Sequence, residues 1–223
     1  MSKPLNAFIF DLDGVITDTA EYHFLAWQAL AEDIGIRFTR EDNEMLKGVS
    51  RMDSLEKILE IGGRKDDFTS EEKEKLAAKK NDHYLTLIQK ITPADILPGM
   101  KDFIFAIKEK GMKLGLASAS KNAFTVMESL GLKDVFDAIV DAKKVANGKP
   151  HPEVFLTAAK LLNVEPTTCI GVEDAVAGVE AIKSAGMFAV AIGKKESFSK
   201  ADMVYEKTEE ISLDEIVSRY SQG

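Results

Sequence analysis

From about residue 100 onward the chain repeats one pattern, a short apolar run followed by an amphipathic stretch that ends on glycine. Residues 100–110 read as a helix stopping at Gly111, and Lys113–Ala117 reads as a strand. Asn122–Leu130 reads as a helix closed by Gly131, and 138–140 as a short strand. Pro152–Leu162 has the look of a helix with proline in its first position, 169–172 of a strand, 175–185 of a helix closed by Gly186, and 188–192 of a strand. Strands that alternate with helices dictate a parallel, doubly wound sheet. Ala7-Phe8-Ile9-Phe10, an unbroken apolar run, reads as one more buried strand.

That first strand has no second strand at the usual crossover distance. Residues 18–90 instead read as consecutive helices rich in Glu, Lys and Leu. The first is expected to start with Asp18 as N-cap and Glu21 as its capping-box partner. His23, Trp27, Leu30 and Ile34 recur on one of its faces, and Gly35 ends it. Gly62-Gly63 breaks another helix, and Thr69-Ser70-Glu71-Glu72 opens a highly charged one. The expected fold is therefore α/β: a doubly wound parallel, Rossmann-like sheet built from 1–17 and 94–223, with an inserted α-helical cap at 18–93. Two linkers, near 14–18 and 92–97, are the expected hinges.

Composition narrows the function classes. A chain of 223 residues with formal net charge -8 has no overall basic character to hold nucleic acid, although a local Lys/Arg cluster can still grip a small anion. Cys169 is the one cysteine, which excludes an internal disulfide and a cysteine-based zinc site. No apolar run is long enough to span a membrane and the start of the chain lacks a signal-peptide core, so a cytoplasmic location is expected.

In open parallel sheets, sites form at the carboxyl ends of the strands. Asp11-Leu12-Asp13-Gly14 follows the first strand directly, so two carboxylates emerge together at its end and Gly14 lets the backbone turn behind them. An Asp in that position is often only a helix cap, and Asp-Gly a turn. Aiming two acids at one point from a buried strand is costly unless a cation or a reaction uses them. Ser118-Ala119-Ser120-Lys121-Asn122 stands at the end of a second strand, where serines either cap the next helix or hold phosphate oxygens. Lys149-Pro150-His151-Pro152 lies in a loop; Lys149 is either solvated or a fixed ammonium for a transferring phosphoryl group, and His151 reads as surface. Glu173-Asp174 ends a strand expected beside that of Asp11. With Asp11 and Asp13 it makes a cluster of oxygen ligands suited to Mg²⁺.

In order and context these four segments resemble the haloacid dehalogenase-like superfamily. Residues 11–24, Leu46-Lys47-Gly48-Val49-Ser50-Arg51, Ala117–Asn122 and Gly148-Lys149-Pro150 resemble, within it, the bacterial β-phosphoglucomutases, cap included. His151 departs from the acidic or small residue of some relatives. The resemblance implies that Asp11 is a nucleophile that becomes an aspartyl phosphate and Asp13 the acid/base. It implies Mg²⁺ held by Asp11, the Asp13 backbone carbonyl and Asp174, with Glu173 close by or a ligand. Ser118, the Ala119 N–H and Lys149 would hold the transferring phosphoryl oxygens; Arg51, with Ser120, Lys121 and Asn122, would hold a second phosphate. Gly48, Val49, Ser50, His23, Lys80 and Trp27 are implied cap contacts. For His23 the competing reading is helix packing, and Trp27 suits a core better than a sugar platform. The implied reaction interconverts β-D-glucose 1-phosphate and glucose 6-phosphate through β-D-glucose 1,6-bisphosphate, on a monomer whose partners are small sugar phosphates. A sugar-phosphate phosphatase would use the same core residues. A phosphorylated receiver-like module would also suit the acidic cluster, but not Asp13 or the large helical insertion.

Overall fold

A computed structural model describes residues 4–46 and 49–222. Six strands form one sheet in the order β3-β2-β1-β4-β5-β6: β1 Ala7–Phe10, β2 Lys113–Leu116, β3 Ala138–Ile139, β4 Cys169–Glu173, β5 Phe188–Ile192 and β6 Met203–Tyr205. Every neighbouring pair runs parallel, as the strand–helix alternation requires. Helices α5 Met100–Glu109, α6 Ala123–Ser129, α7 Glu153–Leu162, α8 Val176–Ser184 and α9 Leu213–Ser221 connect and flank the strands.

Strand β1 is buried on both faces, and its parity assigns its side chains to two cores. Ala7 and Ile9 join a cluster with Val154, Phe155 and Ala158 of α7 and Val179 and Ile182 of α8. Phe8 and Phe10 point the other way and meet Phe103 of α5 edge to face, at 5.7 and 6.1 Å. Glycines permit the closest layers. A Cβ on Gly171 of β4 would lie 2.6 Å from the side chain of Ile182.

The chain divides into two compact units: residues up to Asp18 together with those from Thr92 onward, and Thr19–Ile91. The second unit is all helical, with α1 Ala20–Asp33, α2 Arg40–Glu44, α3 Arg51–Ile61 and α4 Ser70–Ile88. Its core gathers Phe24, Trp27 and Leu30 of α1 with Leu55, Ile58 and Leu59 of α3 and Ala77 of α4. Thr69 caps α4 with Glu72 as its partner. At α1 the structure differs from the expected cap. The N-cap is Thr19, whose side chain caps no helical N–H, and Glu21 forms a two-point ion pair with Arg40. Gly35 does end α1, in the left-handed region at φ 72°, with the Ile36 N–H donating to the Ala31 carbonyl. At α7, Pro152 is the N-cap rather than the first helical residue. No helix among the described residues is long and apolar enough to cross a membrane.

Two elements stand beyond those the pattern announces, β6 and α9. Helix α9 is tied down by Tyr220, which is almost fully buried and whose hydroxyl sits 2.9 Å from the Pro4 carbonyl and 2.8 Å from that of Thr167. Burial pushes the phenol up to about 12, so it stays a donor. Tyr220→Phe strips both carbonyls of this donor. It should cost about 1 kcal/mol, a fall in Tm of about 2–4 °C by calorimetry, with no change in helix content.

Candidate active site

Register brings the carboxyl ends of β1, β2 and β4 level. Phe10 is paired with both Leu116 and Val172, so the chain leaves all three strands at one edge. Asp11 follows Phe10, and its N–H donates to the Val172 carbonyl at 2.9 Å. The backbone then turns tightly. The Leu12 carbonyl accepts from Ile16 and Thr17, and Gly14, at φ 74°, makes the corner that carries Asp13. A side chain at Gly14 is also excluded by space, since its Cβ would fall 2.1 Å from Asp174 Oδ2.

Lys149 reaches this edge from the loop before α7. Its ammonium lies 2.6 Å from Asp11 Oδ1 and 2.7 Å from Glu173 Oε2, and none of its side chain is exposed. Burial alone would lower the ammonium's affinity for its proton, but the two carboxylates outweigh it and hold Lys149 firmly charged. Burial pushes the Asp11 carboxyl up to about 7, Lys149 pulling against it and the charges of Glu173 and Asp13 adding to the rise. Glu173 is committed at both oxygens, for Oε1 accepts from the N–H groups of Asp174 and Ala175 at 3.1 Å each. One oxygen from each of Asp11, Glu173 and Asp174 lies within 4.8 Å of the others. Three hard carboxylate donors converging beside a single ammonium suit a hard divalent cation. The commitments of Glu173 leave Asp11 and Asp174 better placed than Glu173 to face it.

The serine segment lies on the same edge. The Ala117 N–H donates to the Phe10 carbonyl at 2.8 Å, and Ser118, buried, follows. Ser118 does not cap α6. Its Oγ accepts from the Ser120 N–H at 3.1 Å, Ser120 Oγ accepts from Asn122 at 3.3 Å, and Asn122 is the N-cap. Ala119, Ser120 and Asn122 are half-buried and Lys121 is exposed.

A second polar group occupies the helical unit. His23 stacks on Tyr84, with centroids 4.1 Å apart, and Lys80 Nζ lies 2.8 Å from His23 Nδ1. The same ammonium stands 4.7 Å from the Trp27 ring centre and 4.8 Å from that of Tyr84. Burial first, then the cations Lys80 and Arg51, holds His23 well below its ordinary value, so the ring is neutral. An ammonium has only protons to give; Nδ1 accepts, and Nε2 carries the ring proton. Trp27 itself is core. Arg51 opens α3, half-buried, and donates to Asn81 Oδ1 at 2.6 Å. Ser50 is its N-cap and is bonded to Asp53. Val49 is half-buried, and Gly48 lies outside the described residues.

Sequence reasoning passed over three residues. Glu153 accepts from the N–H groups of Ala146 and Asn147 and from the Asn147 side chain at 2.7–3.0 Å, closing the loop that carries Lys149. Its position in the first turn of a helix signals only a dipole preference. Asn81, which orients Arg51, is hidden inside a charged helix, and Gly178 reads as an ordinary helical glycine.

A profile of the haloacid dehalogenase-like hydrolases matches residues 5–186. The chain is 50% identical to β-phosphoglucomutase of Bacillus subtilis over 98% of its length and 96% of that protein's. It is 33% identical to a phosphorylated carbohydrates phosphatase of Thermotoga maritima over 82% of each. Among solved structures it matches β-phosphoglucomutase from Clostridium difficile at a TM-score of 0.96 and 51% identity, covering 98% of both chains.

The Lys149 arrangement makes a prediction of its own. Lys149→Met removes the one cation between two buried carboxylates and should cost about 3–5 kcal/mol at pH 8 in cation-free buffer. Without the ammonium the folded-state Asp11 carboxyl rises further above about 7, while in the unfolded chain it returns to 3.8. The folded variant thus binds a proton that the unfolded chain lacks, so its deficit against wild type should shrink as pH falls to 5.5. Urea denaturation at the two pH values measures this, and a deficit independent of pH would contradict it.

Proposed function

The chain belongs to the haloacid dehalogenase-like hydrolases, and on that premise we propose that it interconverts β-D-glucose 1-phosphate and glucose 6-phosphate through an aspartyl phosphate on Asp11. The observation that carries mutase over phosphatase is the likeness to β-phosphoglucomutases along essentially the whole chain, helical unit included.

Asp11 supplies the attacking oxygen. Lys149, fixed by Glu173, favours the charged form of that carboxylate and would hold its ammonium beside the incoming phosphoryl oxygens. Ser118 and the Ala119 N–H donate to the same oxygens. Asp13 gives a proton to the leaving sugar oxygen and removes one from the sugar hydroxyl that takes the phosphoryl group back. Mg²⁺, held by Asp11, the Asp13 carbonyl and Asp174, would neutralise charge on the transferring group. β-D-Glucose 1,6-bisphosphate serves as phosphoryl donor and turns over as the intermediate. The phosphate not in transfer needs its own cation, and Arg51 can provide a bidentate one. His23 and Lys80 offer the sugar a neutral ring N–H and an ammonium.

The direct test is product analysis with β-glucose 1-phosphate, Mg²⁺ and a trace of the bisphosphate. Glucose 6-phosphate should accumulate with little inorganic phosphate; free phosphate as the main product would make the chain a phosphatase. Arg51→Ala should separate the two phosphate roles. Isomerisation should slow by about 10²-fold or more, the scale of a lost charge-assisted pair, while phosphorylation of Asp11 by acetyl phosphate, which has no second phosphate, stays within about twofold. Equal losses in both rates would assign Arg51 to stability instead.

A further inference from the structure

Gly178 lies near the start of α8, in ordinary helical backbone, where glycine has no conformational use. What it offers is empty space, and that space is filled by one residue. A Cβ built on Gly178 would sit 2.0 Å from Glu173 Oε2, 2.1 Å from its Cδ and 2.4 Å from its Cγ. Glu173 ends β4 and folds its fully buried side chain back over the first turn of α8, and Oε2 is the oxygen that Lys149 holds at 2.7 Å. All three contacts are with the stem and head of one side chain, so a methyl group there displaces the carboxylate rather than the helix. Gly14 makes room for Asp174 in the same manner, but its φ of 74° demands glycine in any case. Of these two glycines beside the acidic cluster, Gly178 is the one whose missing side chain is the whole reason.

We infer that Gly178 is a positioning residue: the absence of a Cβ there lets the Glu173 carboxylate reach Lys149 and hold its ammonium on Asp11. The link to phosphoryl transfer rests on the function proposed above, whereas the steric link between Gly178 and Glu173 does not.

The test is a cycle of Gly178→Ala, Glu173→Ala and the double variant, read by Tm, by Mg²⁺ affinity in calorimetry and by the rate of Asp11 phosphorylation from acetyl phosphate. In the wild-type background Gly178→Ala should lower Tm and weaken both Mg²⁺ binding and phosphorylation by roughly 10–100-fold, the size seen when a support of a metal site is disturbed. With Glu173 already truncated the same methyl group meets nothing, so Tm should rise, as alanine favours helix over glycine, and the other two readings should change less than about twofold. A single variant too unstable to purify, beside a folded double variant, supports the same collision. Wild-type behaviour of Gly178→Ala, an equal loss in both backgrounds, or failure of both variants to fold would overturn the inference. A wild-type chain inert to acetyl phosphate would refute the proposed function and leave the Tm cycle to decide the role of Gly178.

Discussion

One buried ammonium organises the sheet unit. Lys149 has no exposed side-chain surface, and its two partners, Asp11 and Glu173, are nearly or wholly buried as well. Removing three charges from water is expensive, and attraction offsets that cost only with short distances and with every remaining oxygen engaged. The distances are 2.6 and 2.7 Å, and the far oxygen of Glu173 is bonded to the backbone of its own turn. The partners come from β1, a loop before α7 and the end of β4, separated by 138 and 24 positions. No local segment can assemble this group. It exists only when the parallel register of β1 and β4 is complete, which makes the site a product of the tertiary fold.

The same register explains why the acids are so close. In a parallel pair, residues that follow matched positions leave the sheet side by side, and here Phe10 is matched with Val172. The turn after β1 and the turn after β4 then compete for one volume. Gly14 resolves the competition by leaving its Cβ volume to Asp174, and within the turn from β4 to α8 Gly178 leaves room for Glu173 in the same way. The two carboxylates occupy space that any other residue pair would fill with carbon.

This bears on how much the sequence made legible. Strands β1 to β5 and their crossover helices could be read because they are short, mostly apolar runs or amphipathic stretches, several of them with glycine at the end, and both signals are local. Strand β6 escaped because Met203–Tyr205 is short and only half-buried, and α9 because its anchor, Tyr220, bonds to carbonyls at Pro4 and Thr167. The expected capping box at the start of α1 gave way to a cap one residue later, at Thr19, and Glu21 pairs instead with Arg40, nineteen positions away. Among the candidate site residues, the acids, the serine and the lysine stood out because charge beside an apolar strand is conspicuous. Glu153 and Gly178 did not. Their partners are backbone N–H groups and a folded-back side chain, which have no signature in composition or spacing.

The helical unit keeps its buried cation differently. Lys80 sits over the faces of Trp27 and Tyr84 and against the Nδ1 lone pair of His23. Ring quadrupoles and a neutral imidazole contribute to holding this ammonium, whereas Asp11 and Glu173 hold Lys149 by opposite charge. Arg51 donates to the neutral amide of Asn81 and also feels the charge of Asp82. The sheet unit therefore presents an excess of carboxylate, which needs a divalent cation before it can accept a phosphoryl group. The two polar groups thus differ in kind: carboxylates converge on an ammonium in the sheet unit, and aromatic faces with a neutral imidazole surround one in the helical unit.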